Sequence, residues 1–209
     1  MRALLAAVGT RGDVQPAIAL ALELRKRGHE ARMCISPNFV EWAKSLGLDA
    51  RPMGVEMRAP SRGAGPPPKL TAEELRKLRE SMPDLVTDEF VTIGAAVEGC
   101  DVIVGANAHQ YAGPSIAETR GIGCVTAVYA PVALPSPELA PPPTPGEPAN
   151  ARLGIDELWR NTKKTWNERA LERVNFNRGR LGLPPIDDVL EYTLTDHTWL
   201  AADAALALE

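Results

Sequence analysis

The sequence predicts an α/β fold built on a doubly wound parallel sheet. Two observations carry this. First, short apolar runs without alternation, RALLAAV at 2–8, DVIVG at 101–105 and CVTAVYA at 124–130, have the pattern of strands buried on both faces. Second, helical periodicity separates the early strands, so the first 53 residues read βαβαβ, one half of a doubly wound sheet.

The elements follow in order. After strand 2–8 comes the turn GTRGD at 9–13. Val14, Ala17, Ile18, Ala21, Leu22 and Leu24 then recur at helical spacing as far as Arg27, with Pro16 in the first turn and Gly28 as the stop. Residues 30–35 read as a strand, Ser36 to Leu46 as a short helix and residues 49–53 as a weak strand. Thr71 and Glu74 form a capping box for a helix that breaks near Pro83 and resumes to about Glu98. Strand 101–105, helix 112–120 stopped by Gly121, and strand 124–130 come next. A charged helix over 155–181 carries the stripe Ile155, Leu158, Trp159, Trp166, Ala170, Val174 and Leu181, with both tryptophans read as core anchors. Asp187-Asp188 reads as a helix start and 198–202 as a last strand.

Two segments interrupt this pattern. Residues 54–70 hold three glycines, four prolines and two arginines, and residues 131–148 hold eight prolines. Neither suits a regular element, and irregular segments of this length are usually functional or disordered. The second reads either as a linker or as a rigid loop lining a cleft at the carboxyl edge of the sheet.

Composition narrows the function. The chain has 209 residues, 44% hydrophobic and 24% charged, which suits one large or two small globular domains. Lys plus Arg number 23 against 27 Asp plus Glu, a net charge of −4, so the electrostatic footprint of a nucleic-acid binder is missing. Aromatics at 5% argue against an RNA-stacking surface. Cys34, Cys100 and Cys124 are odd in number, lie in or beside apolar segments and form no CxxC, which reads as reduced, buried thiols rather than disulfides or a zinc site. The run at 3–8 is too short for a signal peptide and no transmembrane-length apolar stretch occurs, so a cytoplasmic protein is expected.

The chemistry concentrates on the first turn, Gly9-Thr10-Arg11-Gly12-Asp13. Ligands of open α/β sheets bind at the carboxyl ends of strands, and a helix N-terminus offers unpaired N–H groups to anions. Neither G-x-G-x-x-G nor a Walker Gly-Lys-Ser/Thr is present, which weakens dinucleotide and ATP readings. Asp13 reads either as an N-cap or as a general base, and Arg11 either as a surface charge or as a diphosphate contact. His109 reads as a loop residue or a ligand contact, and Tyr129 and Pro131 as wall packing or ligand contacts. His197 reads as structural and His29 as surface.

GTRGDVQP at 9–16, GEP at 146–148, LGLPP at 181–185 and TDHTWLAAD at 195–203 together resemble, in order, the N-terminal half of GT-B glycosyltransferases of the glycopeptide-antibiotic (vancomycin-group) type and, more distantly, sterol glucosyltransferases. The resemblance implies one Rossmann-like half of a GT-B fold, in which residues 1–209 bind the acceptor and the donor-binding half is absent. It implies inverting transfer from a nucleoside-diphosphate sugar to a hydroxyl of an antibiotic-like aglycone, with no metal or other cofactor. Asp13 matches the family's base, and Thr10, Arg11 and Gly12 match positions facing the donor. His109, Tyr129 and Pro131, with loops 54–70 and 131–148, are the acceptor-side candidates, and residues 58–68 are expected to be poorly ordered without acceptor. The chain alone is expected to be inactive. The competing readings are a non-catalytic auxiliary or ligand-binding protein of the same fold and, against the missing third glycine, a nucleotide-dependent oxidoreductase.

Overall fold

A computed structural model describes residues 1–56, 71, 84–107, 110–143 and 153–203. Six strands form one parallel sheet: β1 (Arg2–Ala7), β2 (Glu30–Ile35), β3 (Asp49–Pro52), β4 (Val102–Ala106), β5 (Gly123–Val128) and β6 (Thr198–Leu200). Their order across the sheet is β3-β2-β1-β4-β5-β6. Strand β1 pairs with β2 from Arg2 opposite Glu30 to Ala7 opposite Ile35, and with β4 from Ala3 opposite Val102. The order reverses between β1 and β4, which makes the carboxyl end of β1 a topological switch point.

The non-alternating apolar runs have the expected cause. Leu4 and Ala6 of β1 enter the core on one face, while Ala3, Leu5 and Ala7 enter the core on the other. One face is covered by α1 (Arg11–Lys26) and α2 (Val40–Ser45) through Val14, Ile18, Ala21 and Ala43. The opposite face is covered by α3 (Leu85–Ala96), α4 (Gly113–Arg120), α5 (Ile155–Arg180) and α6 (Val189–Leu194) through Ile93, Ile116, Val174 and Val189. Leu4 and Leu5 are both fully buried, and each such side chain contributes roughly 1.5–3 kcal/mol. Cys34 and Cys124 lie within the sheet, and burial pushes both thiols up to about 12. Among the described residues no helix is long and apolar enough to cross a membrane.

Several boundaries depart from the sequence reading. Helix α1 starts at Arg11, so Thr10 is the N-cap and Asp13 the third helical residue; Asp13 is not an N-cap. Pro16 is therefore the sixth helical residue rather than a first-turn one, and it has no N–H for the Gly12 carbonyl. Leu22, placed on the apolar stripe, is exposed. The stop is as expected: Gly28 at φ +80° donates to Arg25 O and His29 to Leu24 O, a Schellman closure. The 36–46 helix is broken, because Pro37–Phe39 forms a 3₁₀ turn before α2 and Ser36 stays outside it. The expected strand over 124–130 ends at Val128, leaving Tyr129 beyond it. Asp188 does start a helix, its carboxylate accepting the Glu191 N–H. His29 is half-buried, and His197 is exposed but its carbonyl accepts the Thr126 N–H beside β6. Glu74, the partner of Thr71 in the expected capping box, the helix reading over 72–83 and the order of residues 58–68 lie outside the described residues.

Helix α5 anchors itself partly through polar groups. Ala170 and Val174 are buried as expected, but the inward face continues with Asn177 and Arg178 while Leu181 is exposed. Arg178 is 4% exposed and donates to Pro184 O (2.7 Å), Ser115 Oγ (2.9 Å) and Glu118 Oε2 (3.0 Å), with its guanidinium 5.4 Å from the Tyr192 ring centroid. Its planar fork meets partners in several directions, as a buried cation requires. Trp166 packs against the core, edge-on to Tyr111. Trp159 does not anchor the core; its indole N–H donates to Leu139 O and ties the proline-rich segment to α5.

A second buried ionisable group lies ahead of α4. Glu89 of α3 is 4% exposed and accepts the backbone N–H groups of Tyr111 (2.7 Å) and Ala112, just ahead of α4. Burial pushes its carboxyl up to about 8, opposed by those two N–H groups and reinforced by Asp88. Its folded value lies above its unfolded one, so the fold holds a proton that the unfolded chain releases. The resulting stability is complete below about pH 4.5 and is lost as pH rises through about 8. Glu89→Gln keeps an acceptor and removes the titration. Its melting temperature is expected to fall less than wild type between about pH 5 and about pH 8.5. An equal fall in both proteins would contradict this role.

Candidate functional site

Four strand ends converge beside the switch point. Gly9 to Asp13 follow β1, Ser36 follows β2, Asn107 follows β4 and Tyr129 follows β5. Ser36 is fully buried; its Oγ accepts the Gly9 N–H at 2.8 Å and donates to the Gly9 carbonyl at 3.0 Å, pinning the turn to β2. Gly9 adopts φ +147°, and a Cβ there would lie 2.2 Å from Asp13 Oδ2. The Asp13 side chain thus occupies the space that a side chain at Gly9 would need.

Asp13 is half-buried and held at both oxygens. Oδ2 accepts the Thr10 backbone N–H at 2.7 Å and the Thr10 hydroxyl at 3.0 Å. Oδ1 accepts Asn107 Nδ2 at 2.5 Å. Asn107 sits in the left-handed region at φ 69°, and its N–H donates to Ala127 O. The Tyr129 hydroxyl donates to the Asp13 carbonyl at 3.1 Å. Burial, then the Asp13 charge, push the Tyr129 phenol up to about 12, so it stays a protonated donor at neutral pH. Arg11 is exposed, its Nε on Gln15 Oε1 and its guanidinium 5.4 Å from the Trp42 ring centroid. Gly12 is also exposed, and a Cβ there would meet only Thr10 Oγ1 at 3.7 Å.

Residues 3–136 match the glycosyltransferase family 28 N-terminal domain. The chain belongs to this family. Over 99% of its length it is 39% identical to glycosyltransferase GtfE and 37% identical to vancomycin aglycone glucosyltransferase, both from Amycolatopsis orientalis, covering 50% of each. It therefore spans about half the length of the curated relatives it matches. In fold it is similar to glycosyltransferase VinC, solved in complex with dTDP, at 18% identity and a TM-score of 0.54 over 97% of this chain and 49% of that one.

Within this family 28 domain the site residues read from the sequence separate into groups. Thr10, Gly12 and Asp13 lie together on the first turn of α1 and its cap, and Tyr129 reaches the same turn through its hydroxyl. Arg11 shares the turn, but its guanidinium is engaged with Trp42 and Gln15. Pro131 opens a short 3₁₀ turn beyond β5, at the head of the proline-rich segment. His109 lies outside the described residues. A cavity of about 1020 Å³ opens between this segment, α4, α5 and α6, lined by Pro135, Pro137, Trp159, Arg160 and Tyr192 among others. None of Gly9 to Asp13, Asn107 or Tyr129 lines it.

Sequence reasoning missed Ser36 and Asn107. Each stands one residue past a strand, and Asn is a residue that tolerates positive φ. The sequence reading took His109, Tyr129 and Pro131 from the later strand ends and passed over these two.

The two glycines of the turn are expected to behave oppositely. Gly9→Ala forces Asp13 away and is expected to cost ~1–3 kcal/mol. Gly12→Ala lies in helical backbone with room for a methyl, and is expected to be neutral or stabilising by up to ~1 kcal/mol. Urea unfolding of both variants checks the contrast, and equal effects would contradict it.

Proposed function

We propose that this domain is the acceptor-binding half of an inverting glycosyltransferase, with Asp13 as the general base. The observation that carries the reading is the carboxylate itself. It is half-buried, held by neutral donors at the switch point, and next to the exposed first turn of a helix. In the proposed reaction an acceptor hydroxyl attacks the anomeric carbon of a nucleoside-diphosphate sugar. The new C–O bond forms as the bond to the diphosphate breaks, and Asp13 takes the hydroxyl proton.

The α1 N-terminus suits the donor. Its first N–H groups have no helical partner and its dipole favours negative charge. Gly12 lets a phosphate or sugar approach the backbone, and Thr10 borders the same opening. The likeness to vancomycin aglycone glucosyltransferase supports an antibiotic-like aglycone as acceptor, and the likeness to dTDP-bound VinC supports a nucleotide-sugar donor. The proline-rich segment, which opens at Pro131 just beyond β5 and Tyr129, offers a surface for such an aglycone. The transfer is proposed to run without a metal, as the family resemblance implies.

In the natural protein that contains this chain, Asp13→Asn is expected to lower kcat by roughly 10²–10⁴-fold while acceptor affinity changes little. Retained turnover would remove Asp13 as the base. Acceptor binding without turnover in the wild-type protein would favour a non-catalytic binding role.

A further inference from the structure

We propose that Asp13 Oδ1 is the oxygen that takes the acceptor's proton, and that Asn107 is the positioning residue that aims it. The inference rests on the reading of Asp13 as the base.

The two carboxylate oxygens are not equivalent. Each has two lone pairs. Those of Oδ2 are both occupied, by the Thr10 N–H at 2.7 Å and the Thr10 hydroxyl at 3.0 Å, and the same oxygen lies over Gly9, where a Cβ would be 2.2 Å away. Oδ1 accepts one bond, from Asn107 Nδ2. Among the described residues one lone pair has no partner, and it belongs to Oδ1. Proton transfer needs that pair: the acceptor O–H proton moves onto Oδ1 while its oxygen bonds the anomeric carbon and the diphosphate departs with the electrons of the broken bond. Asn107 gains and loses nothing in the step.

Thr10 alone does not fix the plane of the carboxylate, because the terminal torsion of Asp is broad. A second bond at the other oxygen does. Asn107 is in turn fixed by its own backbone, φ 69° after β4, with its N–H on Ala127 O at the end of β5. The position asks for two things together, a residue that accepts the left-handed region and a neutral donor. Gly enters that region but has no side chain, and Asp enters it but sets a second negative charge against Asp13. A carboxylate only accepts, so the amide must present its NH₂ side to Asp13.

Asn107→Gly keeps the backbone and removes the donor; Asn107→Asp keeps the shape and replaces the donor with a charge. Both are assayed in the natural protein that contains this chain, beside Asp13→Asn. Asn107→Gly is expected to lower kcat by about 10–100-fold with KM for both substrates within about twofold. Asn107→Asp is expected to move the acid limb of the kcat–pH profile upward by about one unit or more, because two facing carboxylates hold a shared proton to higher pH, with activity recovering above it. If Asp13→Asn is inactive while both Asn107 variants keep the wild-type kcat and pH profile, the positioning role is wrong and the base reading stands. If Asp13→Asn retains turnover, the base reading fails first. Thermal melting identifies a misfolded Asn107→Gly, and in that event the isosteric Asn107→Asp profile decides alone.

Discussion

The Asp13 carboxylate folds back over Gly9, into space that any other residue at position 9 would fill. That contact sets the geometry of the whole site. Gly9 is held from behind by the buried Ser36 hydroxyl, which satisfies both its N–H and its carbonyl. Asp13 is held from the front by Thr10 and from across the switch point by Asn107. Residues just past four strand ends thus hold this turn, with Thr10 and Asn107 on the carboxylate itself and Ser36 and Tyr129 on the backbone of Gly9 and Asp13.

Much of this order was readable in advance. Strands buried on both faces give apolar runs without alternation, and here those runs lie in β1, β4 and β5. Helix α1 and its Gly28 stop were legible because capping and φ > 0 leave local signatures. What escaped was non-local. Whether Asp13 is an N-cap or a third helical residue turns on where the first helical bond closes, and Thr10 competes for the same role. Asn107 is 94 residues away from Asp13 in sequence, and their contact exists only because β1 and β4 are neighbours in the sheet.

Helix α5 shows the same limit from another side. Its apolar stripe predicts burial of Ala170 and Val174, yet no periodicity foretells that Arg178 is buried too. That burial is tolerated because Ser115, Glu118, Pro184 and Tyr192 come from α4, the turn after α5, and α6 to surround the guanidinium. Trp159 likewise looks like a core residue on the helix. It instead meets the proline-rich segment and borders a cavity. Polar satisfaction across elements, not the hydrophobic pattern, decides such positions.

The account is tested most directly by a crystal structure of the natural protein with an acceptor bound. It predicts the reacting hydroxyl within about 2.6–3.2 Å of Asp13 Oδ1, with Asn107 still on that oxygen and Thr10 on the other. An acceptor hydroxyl bound out of reach of Asp13, or nearer another base, would contradict it.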